Sequence, residues 1–156
     1  MKKSLIALSA IATLTAFGVF AQDAEDPFAD AVETRHGLML QMSSDLTTLG
    51  GMAKGDVAYD QATASKAAAN VAAIASVISM AQFPAGSEYG KSADSFALPE
   101  LWANQEDFLS KVSDLNNAAA AMQTAAGTDV DALKASMAQL GGACSACHKA
   151  YRQPES

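Results

Sequence analysis

Cysteine and histidine are scarce in this chain, which has two of each in 156 residues. Two cysteines leave room for one disulfide at most, and a zinc site built on them would need a fourth ligand and, in most cases, a third thiolate. The chain also lacks any run with the alternating apolar and polar residues of a half-buried strand. A β-sheet fold is therefore not expected, and both cysteines must be explained by one local site.

Positive charge is also in short supply. The 10 lysines and arginines are outnumbered by 17 acidic residues, so the formal net charge is −7. An acidic chain is repelled by a phosphate backbone, which makes nucleic acid an unsuitable partner. The same charge favours protein partners with basic surface patches and a salt-sensitive encounter.

The longest apolar run lies at the N-terminus. Met1-Lys2-Lys3 precedes an apolar stretch over residues 5–20, and Val19-Phe20-Ala21 forms a small-residue cleavage site. This order is typical of a secretory signal peptide, so we predict a signal over residues 1–21, a mature domain over residues 22–156 and export to the periplasm. An uncleaved anchor is the alternative, although the run is short for a bilayer span. Cleavage removes two lysines and leaves a mature charge of 8 − 17 = −9.

Four helices are predicted from caps and helix-breaking residues. Asp26 and Asp60 are candidate N-caps of the first two helices, Gly55 and Gly127 fit helix ends, and Pro84 and Pro154 stop the second and fourth helices. A loop rich in Gly, Ser and Pro covers residues 83–98. The predicted helices cover residues 27–54, 61–82, 99–126 and 128–152.

Each predicted helix carries a stripe of residues spaced alternately three and four positions apart. Such spacing is typical of helices that pack with a left-handed twist. The connections between the first and second helices and between the third and fourth are short, so those pairs should be antiparallel. The sequence therefore predicts an all-α antiparallel four-helix bundle. In the fourth helix the stripe is Val130, Leu133, Met137, Leu140, Cys144, Cys147 and Tyr151.

Both cysteines belong to Cys144-Ser145-Ala146-Cys147-His148, which matches the C-x-x-C-H signature of c-type haem attachment. Each thiol can add across a haem vinyl group, and the imidazole can bind the iron from one side. Residues three and four positions apart share one face of a helix, which brings the three groups together. We predict one covalent haem c near the C-terminus, bonded to Cys144 and Cys147 and ligated by His148.

Three other interpretations of the motif stay open. A zinc site has only His36 left as a further histidine ligand. A thiol–disulfide enzyme would place the cysteine pair at a helix N-terminus after a strand, whereas this pair lies late in a predicted helix. A plain structural disulfide between Cys144 and Cys147 is the third alternative.

Two arginines are candidate haem contacts. Arg35 interrupts the apolar stripe of the first helix, so it either extends its charge to solvent or pairs with a haem propionate. Arg152 lies one turn after His148. It either raises the reduction potential by its charge beside the imidazole or interacts with the C-terminal end of the helix dipole.

Met39, one turn after Arg35 on the same face, is the candidate second axial ligand. If Arg35 reaches a propionate, Met39 points towards the porphyrin centre, where its thioether can bind the iron opposite His148. The alternative is a core methionine beside an empty distal position. We predict that Met42 packs in the core and that His36 is exposed to solvent.

The chain resembles the class II c-type cytochromes, the cytochrome c′ and cytochrome c-556 group, over nearly the whole mature length. The resemblance is strongest in Arg35-His36-Gly37-Leu38-Met39 and in the stretch from Gly142 through the haem motif to Tyr151-Arg152. Further similar segments are Ala53-Lys54-Gly55-Asp56, Tyr59-Asp60, Phe83-Pro84 and Pro99-Glu100-Leu101-Trp102.

This resemblance implies a periplasmic four-helix bundle with covalent haem, His148 as proximal ligand, Arg35 near a propionate and Arg152 beside His148. Met39 falls at the distal position, where the family divides. The c-556 members bind iron through a methionine and transfer electrons, whereas c′ members leave that position open and bind NO or CO. Many c′ members are homodimers through the first two helices, which the alanine-rich second helix permits here.

We therefore expect a periplasmic mono-haem electron carrier, with a five-coordinate cytochrome c′ that binds NO or CO as the alternative. No constellation of general acid, general base and nucleophile is visible in the sequence. We accordingly do not expect this chain to be an enzyme.

Overall fold

The computed structural model describes residues 26–154, so the predicted signal peptide and its cleavage site lie outside the described residues. Within this range, no helix is both long and apolar enough to span a membrane. Five α-helices follow one another in the described chain: α1 (Ala29–Lys54), α2 (Gln61–Val77), α3 (Glu100–Ala103), α4 (Gln105–Ala126) and α5 (Val130–Tyr151).

Local capping explains where several helices begin and end. The Asp60 carboxylate accepts a hydrogen bond from the Thr63 N–H at 2.8 Å, and the Asp129 carboxylate accepts one from the Ala132 N–H at 2.8 Å. These bonds satisfy N–H groups that lack a partner within the helix. Gly55 ends α1 with φ of 83°, a left-handed conformation that glycine adopts without strain. The predicted N-cap Asp26 binds the Phe28 N–H instead, and α1 begins at Ala29.

The four long helices form the predicted antiparallel bundle. Helices α1 and α4 each pack against both α2 and α5. Buried alanines on α2 and α4 let the backbones of these helices approach closely. The largest fully buried side chains of this core are Leu49, Val71, Met122, Leu133 and Leu140.

Two predicted helices differ from the observed ones. The second ends at Val77 rather than at residue 82, because Ile78 is extended (ψ 122°) and Ser79 starts a separate 3₁₀ turn over Met80–Gln82. The third is interrupted at Asn104 (φ −129°, ψ 49°), which separates α3 from α4. The Asn104 amide donates to the Glu100 carbonyl at 2.9 Å, and such side-chain bonding competes with helix continuation.

The loop over residues 83–98 closes one end of the bundle. Its last residues pair with the chain beyond α5: Leu98 N–H donates to Tyr151 O at 2.9 Å, and Gln153 N–H donates to Phe96 O at 2.8 Å. We call this end, which contains the N-terminal half of α1, residues 83–98 and the last turns of α5, the loop end. The predicted haem motif lies there.

Candidate haem site

Cys144, Cys147 and His148 lie on one side of α5, as the motif predicts. The two thiols are half-buried, and His148 is exposed at the edge of the bundle. Cys147 packs against the aromatic cluster of the loop end, which includes Phe108 and Tyr151. The three side chains can therefore reach a single group on this side of the helix.

The surroundings of the thiols do not suit disulfide exchange or a zinc site. Both cysteines are free, and both lie deep within α5 rather than at its N-terminus. Burial raises the pKa of the Cys144 and Cys147 thiols, so they stay protonated at neutral pH and are poor exchange nucleophiles. Among residues 26–154, no group of three or more His, Cys, Asp and Glu side chains is placed to hold a metal ion.

The register between α1 and α5 brings Met39 and His148 to similar heights in the bundle. An ideal Cβ on Gly50 would lie 3.8 Å from Cε of Met137, which aligns the two antiparallel helices at this point. Met39 lies eleven residues before Gly50, and His148 lies eleven residues after Met137. Eleven residues advance a helix by about 16 Å and by three full turns to within about 20°. Met39 and His148 therefore lie at similar heights, each within about 20° of the side of its helix that carries the Gly50–Met137 contact.

The neighbours of Met39 on α1 have different surroundings. Met42 is 4% exposed and belongs to the main core, as predicted, whereas Met39 is only half-buried. The prediction that His36 is exposed is wrong in part. Its ring is half-buried and packs against Phe96, with 5.9 Å between the ring centroids.

Arg35 does not extend to solvent, since it is only 6% exposed. Its guanidinium donates to the Gln82 carbonyl at 3.1 Å, to the Ser87 hydroxyl and carbonyl at 2.9 and 2.7 Å, and to the Ser95 hydroxyl at 2.6 Å. It also lies over the Phe83 ring, 5.1 Å from the centroid. These partners are all neutral, and burial lowers the pKa of Arg35. An anion next to this buried charge would be stabilised.

Arg152 lies on the other side of the same loop. Its N–H donates to the His148 carbonyl at 2.9 Å, and its guanidinium lies 5.6 Å from the centroid of the Phe96 ring. Arg152 is fifteen residues after Met137, and Arg35 is fifteen residues before Gly50, so the two arginines also lie at similar height. The backbone positions of the two arginines thus lie about one turn from the level of Met39 and His148.

The sequence did not predict the polar partners that surround these residues. Ser87 and Ser95 belong to an irregular loop that carries no periodic signal. The Tyr151 hydroxyl donates a hydrogen bond of 2.5 Å to the Asp107 carboxylate, and Tyr151 as a whole is 6% exposed. Burial, as the larger cause, and this bond to Asp107, as the second, raise the pKa of Tyr151 to about 12. The four-residue spacing of the Asp107–Lys111 ion pair is visible in the sequence, but the contact of Asp107 with Tyr151 of α5 is not.

Two consecutive glycines lie within α5 just before the motif. Gly141 and Gly142 are both exposed, and apart from their own stretch of helix no part of the described chain lies within 4 Å of a Cβ built on either one. Glycine inside a helix costs about 0.8–1.0 kcal/mol relative to alanine. Packing within this chain thus requires neither glycine. The space beside Gly141, the paired thiols, the facing imidazole and thioether, and the buried Arg35 together fit a covalently bound haem.

Comparison with known proteins agrees with this geometry. The family model described as Cytochrome C' matches residues 30–152. A curated relative, cytochrome c-554 of Cereibacter sphaeroides, is 48% identical over 149 residues, which cover 96% of this chain and 97% of the relative.

Solved structures show the same bundle. A cytochrome c' from Rhodobacter Spheriodes superposes with a TM-score of 0.78 at 26% identity and covers 82% of this chain and 98% of that chain. A nitric oxide complex of a mutant cytochrome c prime from Alcaligenes xylosoxidans gives a TM-score of 0.73 at 28% identity, with 82% and 97% covered.

Proposed function

Because this chain belongs to the cytochrome c′ family, whose members carry covalent haem c, we propose that it is a periplasmic mono-haem electron carrier with an iron ligated by His148 and Met39. The haem, when bound, supplies the ferric–ferrous couple, and the protein sets its potential, burial and access. The observation that supports this proposal most directly is the register of α1 and α5, which brings Met39 and His148 to similar heights.

Cys144 and Cys147 would hold the haem through thioether bonds, and His148 would bind the iron from the α5 side. Their common side of α5 supports this assignment, because one rigid helix then fixes three attachment points. The exposure of His148 leaves its imidazole accessible from the surface.

Arg35 and Arg152 would interact with the charged parts of the haem. Arg35 brings a buried positive charge without an acidic partner among its hydrogen bonds, which suits a propionate. Arg152, next to the carbonyl of His148, would raise the reduction potential because a nearby positive charge disfavours the ferric form.

The predicted export belongs to the same proposal. A cleaved signal over residues 1–21 would release a mature chain over residues 22–156 into the periplasm, where partners with basic patches would exchange electrons with it. Mass spectrometry of the protein from a periplasmic fraction should give a chain beginning at Gln22 with one haem attached. A chain that retains residues 1–21 would overturn the cleavage.

A homodimer through α1 and α2 also belongs to the proposal, and sedimentation of the holoprotein tests it. The exposed Leu40 on α1 and the exposed alanines of α2 are compatible with such a contact. A single species with the monomer mass at high protein concentration would contradict it.

A five-coordinate protein that binds NO or CO is the second candidate. Two observations favour it: the structural likeness to a nitric oxide complex of a cytochrome c prime, and the half-buried position of Met39, which leaves room for displacement. On this alternative Met39 packs beside an open distal position.

The optical spectrum of the purified holoprotein tests both candidates. A low-spin ferric spectrum with a thioether-to-iron charge-transfer band is expected for ligation by Met39. A high-spin, five-coordinate spectrum with rapid CO binding in the ferrous state would support the gas-binding candidate instead. Protein that stays colourless when made in cells competent for haem attachment would overturn both.

A further inference from the structure

We propose that Gly141 seats the edge of the porphyrin and thereby positions the haem against α5, an inference that rests on the proposed haem attachment. Gly141 precedes Cys144 by three residues and His148 by seven. At about 100° per residue, these three positions lie within about 60° of one another around the helix. Gly142 points about 160° away from Cys144, to the opposite side.

Helix geometry places the porphyrin edge over the turn that contains Gly141. Side chains of an α-helix tilt towards its N-terminus, so each covers the turn before its own Cα. The sulfur of Cys144, and the porphyrin edge bonded to it, therefore lie over residues 140 and 141. His148 tilts the same way, towards Cys144.

Leu140 and Gly141, the two residues of that turn, differ in the space that they leave for the haem. Leu140 is fully buried and fills the core beside Met122 and Leu133. Gly141 is exposed, and apart from its own stretch of helix no part of the described chain lies within 4 Å of a built Cβ. A side chain there would meet no other part of the protein, so this position leaves space for the group that would be bonded at Cys144.

Substitutions at Gly141 and Gly142 separate this role from helix propensity. Both glycines are exposed, both are helical and both have open space around a built Cβ, so Gly141→Ala and Gly142→Ala should raise helix stability alike. Gly141→Leu and Gly142→Leu repeat the comparison with a larger side chain at each position. The holoproteins are compared by the fraction of chain that carries covalent haem, by the reduction potential and by the axial-ligand band.

We expect Gly141→Ala to lower haem loading and shift the potential, and Gly141→Leu to do both more strongly or to lose the axial-ligand band. Both Gly142 variants should match the unsubstituted holoprotein. If the 141 and 142 series behave alike while the unsubstituted protein carries haem, this inference fails and the proposed function stands. If the unsubstituted protein carries no haem, the proposed function itself fails.

Discussion

Single residues on α1 show how closely the site depends on side-chain direction. Met39 and Met42 are three positions apart, yet Met42 is in the core and Met39 is only half-buried. Met39→Leu keeps the volume and removes the thioether, so we expect a change from low-spin to high-spin iron and faster CO binding. Met42→Leu is the matched control, with an unchanged spectrum and a stability loss below about 1.5 kcal/mol. An unchanged ferric spectrum in Met39→Leu would remove Met39 as a ligand.

Burial of Tyr151 and its hydrogen bond to Asp107 make the free energy of unfolding depend on pH in the alkaline range. The pKa of Tyr151 is raised from 10.0 to about 12 in the folded protein. A raised pKa means that the contribution is fully present below pH 10.0 and is lost as the pH rises through about 12. Tyr151→Phe should therefore lower the free energy of unfolding by about 1 kcal/mol at pH 7, and the difference from the unsubstituted protein should shrink at alkaline pH.

Urea unfolding of the holoprotein between pH 7 and pH 12 measures this effect. Tyr89→Phe is the control, because Tyr89 is 49% exposed. A difference between Tyr151→Phe and the unsubstituted protein that stays constant through pH 12 would contradict the assignment.

Among the structural elements, the loop over residues 83–98 is held in its conformation by hydrogen bonds from α1, a helix that is distant in sequence. Arg35 of α1 binds Ser87 and Ser95, and Ser95 also donates to the Ser87 carbonyl at 2.7 Å. Hydrogen bonds to a charged group contribute about 1.5–3 kcal/mol each. We expect Ser87→Ala to speed hydrogen exchange of the loop amides and to destabilise the protein by about 1–2 kcal/mol. Ser113→Ala, at an exposed site on α4, should leave loop exchange unchanged, and equal exchange in both variants would contradict this role.

The same elements show what the sequence could and could not predict. The order and directions of the long helices follow from local signals such as the cap Asp60 and the spacing of apolar residues. The break at Asn104 was missed because apolar spacing continues across it. The partners of Arg35 lie 52 and 60 positions away in a loop without periodicity, so only the folded chain brings them together.

At the scale of the whole molecule, the net negative charge should govern how often the protein meets redox partners. The net charge is −7 for the full chain and −9 for the proposed mature chain, although Lys149 and Arg152 lie near the haem motif. Electron exchange with a cationic inorganic complex should slow by about tenfold or more between low and high salt, because screening weakens the attraction. Exchange with an anionic complex should become faster. If the two salt responses are reversed, the local positive charge of the loop end governs docking instead, and if both reactions respond in the same direction, electrostatic control of the encounter is contradicted.

Trp102 gives this protein an optical property of its own. It is the single tryptophan of the chain, and its indole N–H donates to the Phe83 carbonyl at 3.0 Å. It packs against the same aromatic cluster as Cys147, so a porphyrin bonded at Cys147 lies close enough to absorb the indole emission. Loaded protein should be dark under tryptophan excitation, and empty or unfolded protein should be bright. One emission spectrum can thus distinguish haem-loaded from haem-free protein before the reduction potential is measured.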